Sequence, residues 1–238
     1  MENSRRVFML GSATATLGLL VVPKLFAGAA DASAAVTRDW VFDRLDSIGG
    51  VATHVEGHPK LIDSPLGKAL EFNGVDDALF IDQHPLAGAA TFTFEAIFRP
   101  DGGAFAQRWF HLASDEAPPA PGAKPVNTRF LFEIRVVEAN WYLDAFVNGV
   151  GYNKALALPD KLHRIGRWYH VAQSFDGKTY RSFVNGELQG EADINFQPQG
   201  PGRASVGVRM THQDYFKGAI RLARFTQKAL APEQFLKA

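Results

Sequence analysis

Along most of the chain, apolar and polar residues alternate one by one, and Gly, Pro, Asn and Asp interrupt the alternation at short intervals. In "FTFEAIFR", Phe92, Phe94, Ala96 and Phe98 share one parity, and Thr93, Glu95, Ile97 and Arg99 the other. "FLFEIRVV" sets Phe130, Phe132, Ile134 and Val136 against Leu131, Glu133, Arg135 and Val137. "NWYLDAFVNG" sets Trp141, Leu143 and Ala145 against Tyr142, Asp144 and Phe146. Successive strand side chains point to opposite faces, so a period of two predicts strands with one face in a core. Helical periodicity is scarce. Only "LAPEQFLKA" at the end looks helical, with Pro232 early in a short turn. Many short strands with Gly and Pro turns predict an all-β fold, an antiparallel two-sheet sandwich with little helix.

The stretch "RWYHVAQSFDGKTYRSFVNGELQG" (167–190) is dense in functional groups. Asp176-Gly177 and Asn185-Gly186 read as type I′ hairpin turns, in which both central residues need φ > 0. A further Asn-Gly pair stands at Val147-Asn148-Gly149. Asp176 is thereby a turn former, and Trp168, Val171 and Phe175 are core residues. His170 is the one group that the hairpin does not absorb.

A length of 238 residues allows one large domain or two small ones. The formal net charge is zero, whereas nucleic-acid binders carry a basic excess, so no nucleic-acid partner is expected. The absence of cysteine excludes a disulfide scaffold and thiolate-held zinc or iron–sulfur centres. At the N-terminus, Arg5 and Arg6 precede a moderately apolar run, Val7 to Val22, that is short for a membrane span. Small-x-small sites follow at Ala27-Gly28-Ala29 and Ala32-Ser33-Ala34. The stretch "SRRVFM" resembles the twin-arginine export consensus, and Lys24 suits it. That resemblance implies a signal peptide over 1–34 and a single domain over 35–238, exported already folded to the periplasm or beyond. No membrane attachment is expected after cleavage.

The order of motifs carries a second resemblance. "GKALEFNGVDDALFI" comes first, then "FTFEAIFRP" and the 167–190 stretch; "ASVGVRM" precedes "YFKGAIRLARFTQKALAPEQF". The succession resembles the laminin G-like, pentraxin-like branch of the concanavalin A-like jelly rolls, over roughly residues 38 to 238. It implies a jelly-roll sandwich with one concave outer face, and "DWVFD" pairing near "AIRLARF". Relatives mostly bind carbohydrate or protein, sometimes through calcium, and some are glycoside hydrolases or polysaccharide lyases, so the fold alone leaves function open. The last strand departs from the family: Ile220-Arg221-Leu222-Ala223 lacks the acidic pair that relatives often carry, which weakens a calcium expectation. Asp43, Asp76 and Asp77 remain as ligands or, alternatively, as turn and cap residues. No other cofactor is expected. The hydrolase signature of three acidic residues alternating on one strand is also missing, and Glu133 and Glu138 fall on opposite faces.

If the Phe-rich faces form the core, the outer faces carry Glu95, Arg99, Trp109, His111, Glu133, Arg135, Tyr142, Asp144, His170, Arg181 and Arg209. Flat rings stack on sugars and Arg forks match uronate carboxylates, so the set suits glycan recognition. The plainer alternative is a surface ladder of Glu–Arg pairs. Candidate chemistry falls to Glu133, Arg135, His111, Glu95 and Asp144, with Glu95 expected as a cross-strand partner of Arg135. His111 is the stronger general-base candidate of the two strand histidines. Tyr142, Trp109, His170, Arg209 and Tyr152 are candidate ligand contacts, Tyr152 with His163 and Arg164 from the loop 150–166. The loops 114–128 and 196–203 are further candidates for the rim of a groove.

Three functions follow. The first is an exported carbohydrate-binding protein. The second is a polysaccharide lyase or glycoside hydrolase. A lyase would neutralise a uronate with Arg135 or Arg209 and use His111 or Tyr142 as base; a hydrolase would draw on two of Glu95, Glu133 and Asp144. The third is a protein-interaction domain. No G-x-S-x-G nucleophile motif is present.

Overall fold

Alternation at this density dictates the architecture, because each strand has one apolar face that only a second sheet can cover. The computed structural model describes residues 35–115 and 127–237, which fall in one compact unit spanning Ala34–Ala238. The expected signal segment, 1–34, lies outside the described residues, as does most of the proline-rich stretch within 114–128. In chain order the strands are β1 (Thr37–Val41), β2 (Ser47–Ile48), β3 (Val51–Glu56), β4 (Lys60–Ser64), β5 (Gly67–Asn73), β6 (Ala78–Ile81), β7 (Phe92–Pro100), β8 (Ala106–Ser114) and β9 (Arg129–Val137). They continue as β10 (Asn140–Gly149), β11 (Tyr152–Ala157), β12 (His163–Arg164), β13 (Tyr169–Phe175), β14 (Thr179–Val184), β15 (Glu187–Asp193), β16 (Gly202–Val206) and β17 (Lys217–Thr226). Every strand pairing is antiparallel.

Eight strands form one sheet in the order β15-β14-β13-β7-β17-β5-β4, with β1 on β17; nine form the other in the order β11-β10-β9-β8-β16-β6-β3-β2, with β12 on β10. The expected pairing of the first and last strands holds, with Trp40 opposite Ala223. Benzyl and indole rings meet between the layers. Phe94 of the eight-stranded sheet lies 3.9 Å from Phe132 of the nine-stranded one, and Phe98 stacks on Trp109 at 4.7 Å. Each such ring removes its whole surface from water, worth about 1.5–3 kcal/mol apiece relative to exposure. Polar pairs are admitted to this core: the Tyr180 hydroxyl donates to Gln173 Oε1 at 2.5 Å, and Gln199 Nε2 donates to the Tyr152 hydroxyl at 3.1 Å.

Turn chemistry matches the sequence reading unevenly. Asn185 and Gly186 both have positive φ, 50° and 80°, as the type I′ reading requires. At Asp176-Gly177 only the glycine does, because Asp176 Oδ1 instead accepts the amides of Lys178 and Thr179 and closes the loop itself. The Asn148-Gly149 pair is not the turn: Gly149 pairs with Tyr152, and Val150-Gly151 makes the reversal. Gly149 serves close approach instead, since a Cβ there would stand 2.3 Å from the Tyr152 hydroxyl. The helix expected at the C-terminus reduces to one 3-10 turn, Pro232–Gln234, after which the backbone is extended at Phe235. Among the described residues no helix is long and apolar enough to cross a membrane.

Candidate functional site

On β9, alternation turns Arg129, Leu131, Glu133 and Arg135 away from the core, and on β10 it turns out Tyr142, Asp144 and Phe146. Register then fixes neighbours: Glu133 faces Asp144 and Arg135 faces Tyr142. On β8 a bulge between Arg108 and Phe110 shifts the parity. Two residues of the bulged strand oppose one on its partner, so Trp109 and Phe110 both enter the core, and both Arg108 and His111 face outward. The outer-face placement of Trp109 is therefore corrected: its indole is fully buried against Phe98.

The charged groups on this face form a chain. Arg108 Nε donates to Glu133 Oε1 at 2.5 Å, and a further Arg108 nitrogen pairs with Asp214 from the β16–β17 connection. Arg135 Nη2 donates to Glu133 Oε2 at 3.1 Å and forms an ion pair with Asp144 Oδ2 at 2.5 Å. Glu133 and Asp144 are buried beneath their partners. Burial and then the Asp144 charge push the Glu133 carboxyl up, against the pull of Arg108 and Arg135. Both Glu133 oxygens are thus engaged, while Asp144 Oδ1 is buried with no hydrogen-bond partner. The Arg135 guanidinium lies 5.9 Å from the ring of Phe105, an aromatic residue that is 57% exposed.

His111 is buried beside Ser205 and Leu131, its cross-strand partners. The Met210 amide donates to its Nδ1 at 2.9 Å, which places the lone pair there and the ring hydrogen on Nε2. Burial, then the charges of Arg129, Arg209 and Arg108, lower its pKa to about 3. A neutral ring whose free nitrogen carries a hydrogen is a donor, so His111 does not fit the expected role of general base.

The remaining expectations divide. Glu95 is not a partner of Arg135: β7 lies in the other sheet, and there Glu95 Oε1 bonds His170 Nε2 at 3.0 Å. Both are buried under the C-terminal segment, where Phe235 packs on the imidazole at 5.4 Å and the Leu236 amide donates to Glu95 at 2.6 Å. The candidate catalytic set is therefore split between opposite outer surfaces of the sandwich, and His170 is not an open ligand contact. A cavity of about 520 Å³ flanks this cap, lined chiefly by Leu66, Trp168, Asn185 and Phe235 besides His170. Tyr152 is buried in the core, its hydroxyl donating to the Gln197 carbonyl, and the segment expected as loop 150–166 contains β11 and β12. His163 packs on Trp141 and bonds Gln189.

Arg108, Arg129, Phe105 and Asp214 were missed. Arg129 was legible, one alternation before Leu131; Arg108 was hidden by the bulge, and Asp214 by a loop that only the fold brings to β8. The calcium candidates do not fit a site. Asp77 spends its two oxygens on the amides of His58 and Asn73, and Asp76 accepts from the Asn73 side chain. Among the described residues no group of three His, Cys, Asp or Glu side chains could hold a metal ion.

A family model described as the concanavalin A-like lectin/glucanases superfamily matches residues 73–235. The search of curated proteins found no match. Among solved structures, domain 4 of AbnA, a GH43 extracellular arabinanase from Geobacillus stearothermophilus in complex with arabinotriose, superposes with TM-score 0.59. It is 18% identical, over 84% of this chain and 97% of that one. The binding domain of Paraclostridial Mosquitocidal Protein 1 gives TM-score 0.60 at 13% identity, over 84% of this chain and 50% of that one. The botulinum neurotoxin serotype D binding domain gives 0.57 at 10%, over 82% and 48%. The chain thus spans about half the length of the two toxin domains. At these identities the likeness is one of fold.

Proposed function

The chain belongs to the concanavalin A-like lectin/glucanase superfamily, and from that premise we propose that it binds glycans on the outer face of its nine-stranded sheet. The observation that carries the reading is the exposed Phe105 ring beside Arg135, on a surface whose carboxylates are already braced by arginines. An exposed aromatic next to fixed polar groups gives a sugar a stacking plane and directed hydrogen bonds, with little rotamer entropy left to lose on binding. The arabinotriose complex of the arabinanase domain supports a sugar as the partner class.

The same bonds weigh against the enzymatic alternatives. A hydrolase needs one carboxylate free to give a proton and another free to attack or to activate water. Here both Glu133 oxygens hold arginine, and Glu95 lies on the other sheet. A lyase base needs a lone pair, and that of His111 is taken by the Met210 amide. The proposal includes export to the periplasm or beyond, supported by Arg5-Arg6 ahead of the apolar run Val7–Val22.

The test is a panel of neutral and acidic polysaccharides presented to the purified protein, scored for retention, reducing ends and absorbance of unsaturated uronates. Retention without products, weakened about tenfold or more by Phe105→Ala, is the expected result. Released products would establish the enzyme instead, and retention unaffected by Phe105→Ala would move the site elsewhere.

A further inference from the structure

We infer that His111, Arg129 and Arg209 form a subsite for an oxyanion carried on the glycan, a carboxylate or a sulfate ester. The inference rests on the glycan-binding reading and names the class of sugar. On the outer face of the nine-stranded sheet, the carboxylates Glu133, Asp144 and Asp214 are all bonded to Arg108 or Arg135. Arg129 and Arg209 have no ion pair among the described residues, although each lies near enough for the other's charge to be felt. The two cations thus lie within each other's field, and among the described residues no carboxylate forms an ion pair with either; only the field of Glu133 offsets the repulsion at Arg129.

The donors are also unspent. His111 Nε2, Arg129 Nε and Arg209 Nε are each buried without a hydrogen-bond partner, and the His111 side chain is only 3% exposed. Since Nδ1 of His111 accepts the Met210 amide, Nε2 is a donor, like both arginine nitrogens. Buried donors are normally paired, because a donor removed from water without an acceptor loses its hydration and gains nothing in return. A cluster of three donors with no acceptor is complementary to a group that only accepts. The groups are held in place from several elements. Arg129 sits on β9 over the Phe146 ring at 4.9 Å, with Nη1 donating to the Asn127 carbonyl at 2.7 Å. Arg209 immediately precedes the residue that bonds His111 and is anchored by a backbone bridge to Gln213. Guanidinium forks match carboxylate and sulfate geometry. Phe105 and Tyr142 stand by Arg135 on the same sheet face, roughly 20 Å along β9 from Arg129, a span for several sugar units.

The test measures calorimetric affinity of the full chain for matched oligosaccharides that are neutral, uronate-bearing or sulfated. The acidic ligands are expected to bind at least tenfold more tightly than the neutral one, and whichever acidic arm binds better identifies the oxyanion. Arg129→Gln and Arg209→Gln should each erase that preference while thermal melts stay close to wild type, because neither side chain holds an ion pair among the described residues. Equal affinity of the wild type for neutral and acidic ligands would overturn the subsite and leave the glycan-binding reading standing. A preference that survives in both variants would also overturn it. Failure of every glycan to bind would overturn both.

Discussion

Glu133 and Asp144 stand directly opposite one another on adjacent antiparallel strands, and one nitrogen of Arg135 forms ion pairs with both. Like charges in direct cross-strand register repel, so this pair persists because a guanidinium is placed between them and Arg108 takes the outer Glu133 oxygen. The bridge makes the surface rigid at the point where Phe105 offers its ring.

Removing the bridging cation should therefore be costly. Arg135→Met leaves two buried carboxylates with one arginine between them, and the loss of one partner of a buried pair costs about 3–5 kcal/mol. The lower end is expected, since Arg135 keeps some exposure to water. Urea unfolding measures it, and adding Asp144→Asn to the variant should recover part of the loss. A midpoint equal to wild type would show that the bridge carries no stability.

His111 should stay neutral far below the usual histidine range. Burial, then Arg129, Arg209 and Arg108, lower its pKa from the ordinary 6.5 to about 3 in the folded chain. The unfolded state then binds the proton first as pH falls below about 6.5, so this residue makes the fold progressively less stable down to about pH 3. Nitrogen-15 spectra of the ring should show hydrogen on Nε2 and no titration between pH 8 and 4. A midpoint near 6.5 would refute the buried, arginine-facing placement.

Asp176 works in the opposite sense. Its pKa is lowered to about 2, first by the Thr179 amide and then by Arg181. A depressed carboxyl contributes stability above its unfolded value and loses it as pH falls through the folded one. The stability gap between wild type and Asp176→Ala should accordingly be full at pH 7 and shrink between about pH 4 and pH 2. A gap independent of pH across that range would mean that the carboxylate charge has no part in the turn.

Phe235 should hold the C-terminal segment down. Its ring packs on His170 and on Phe183, 5.4 and 5.2 Å between centroids. Phe235→Ala is expected to cost about 3 kcal/mol, the low end for a buried ring, because the segment at the surface can partly collapse. Amide exchange at Leu236, which donates to Glu95, should accelerate in the same variant. Unchanged exchange would show that other contacts keep the segment in place.

The fold was legible because it rests on parity. A strand's core face is set by neighbours two residues away, so Phe92, Phe94 and Phe98, or Phe130 and Phe132, reveal the inside without reference to any other strand. Parity likewise put Glu133, Arg135, Tyr142 and Asp144 together in sequence terms, and the register confirms that they share a face. Parity fails where backbone is inserted. The bulge at Trp109 reversed the assignments of Trp109 and Arg108 and left that of His111 intact, so a core indole was read as surface and Arg108 was passed over.

What the chain determined by itself was the kind of layer it makes and the composition of each face, since those depend on nearest neighbours along a strand. Which faces belong to one surface was decided only by strand order. Glu95 and Glu133 look equivalent in sequence, yet β7 and β9 lie in different sheets, which sends one under the C-terminal cap and the other to the arginine cluster. Tertiary structure likewise brought Met210 and Asp214 to β8 across about a hundred residues and left Arg129 and Arg209 without an ion pair among the described residues. Long-range pairing brings such groups together through chain closure, and no local pattern records where the closure ends.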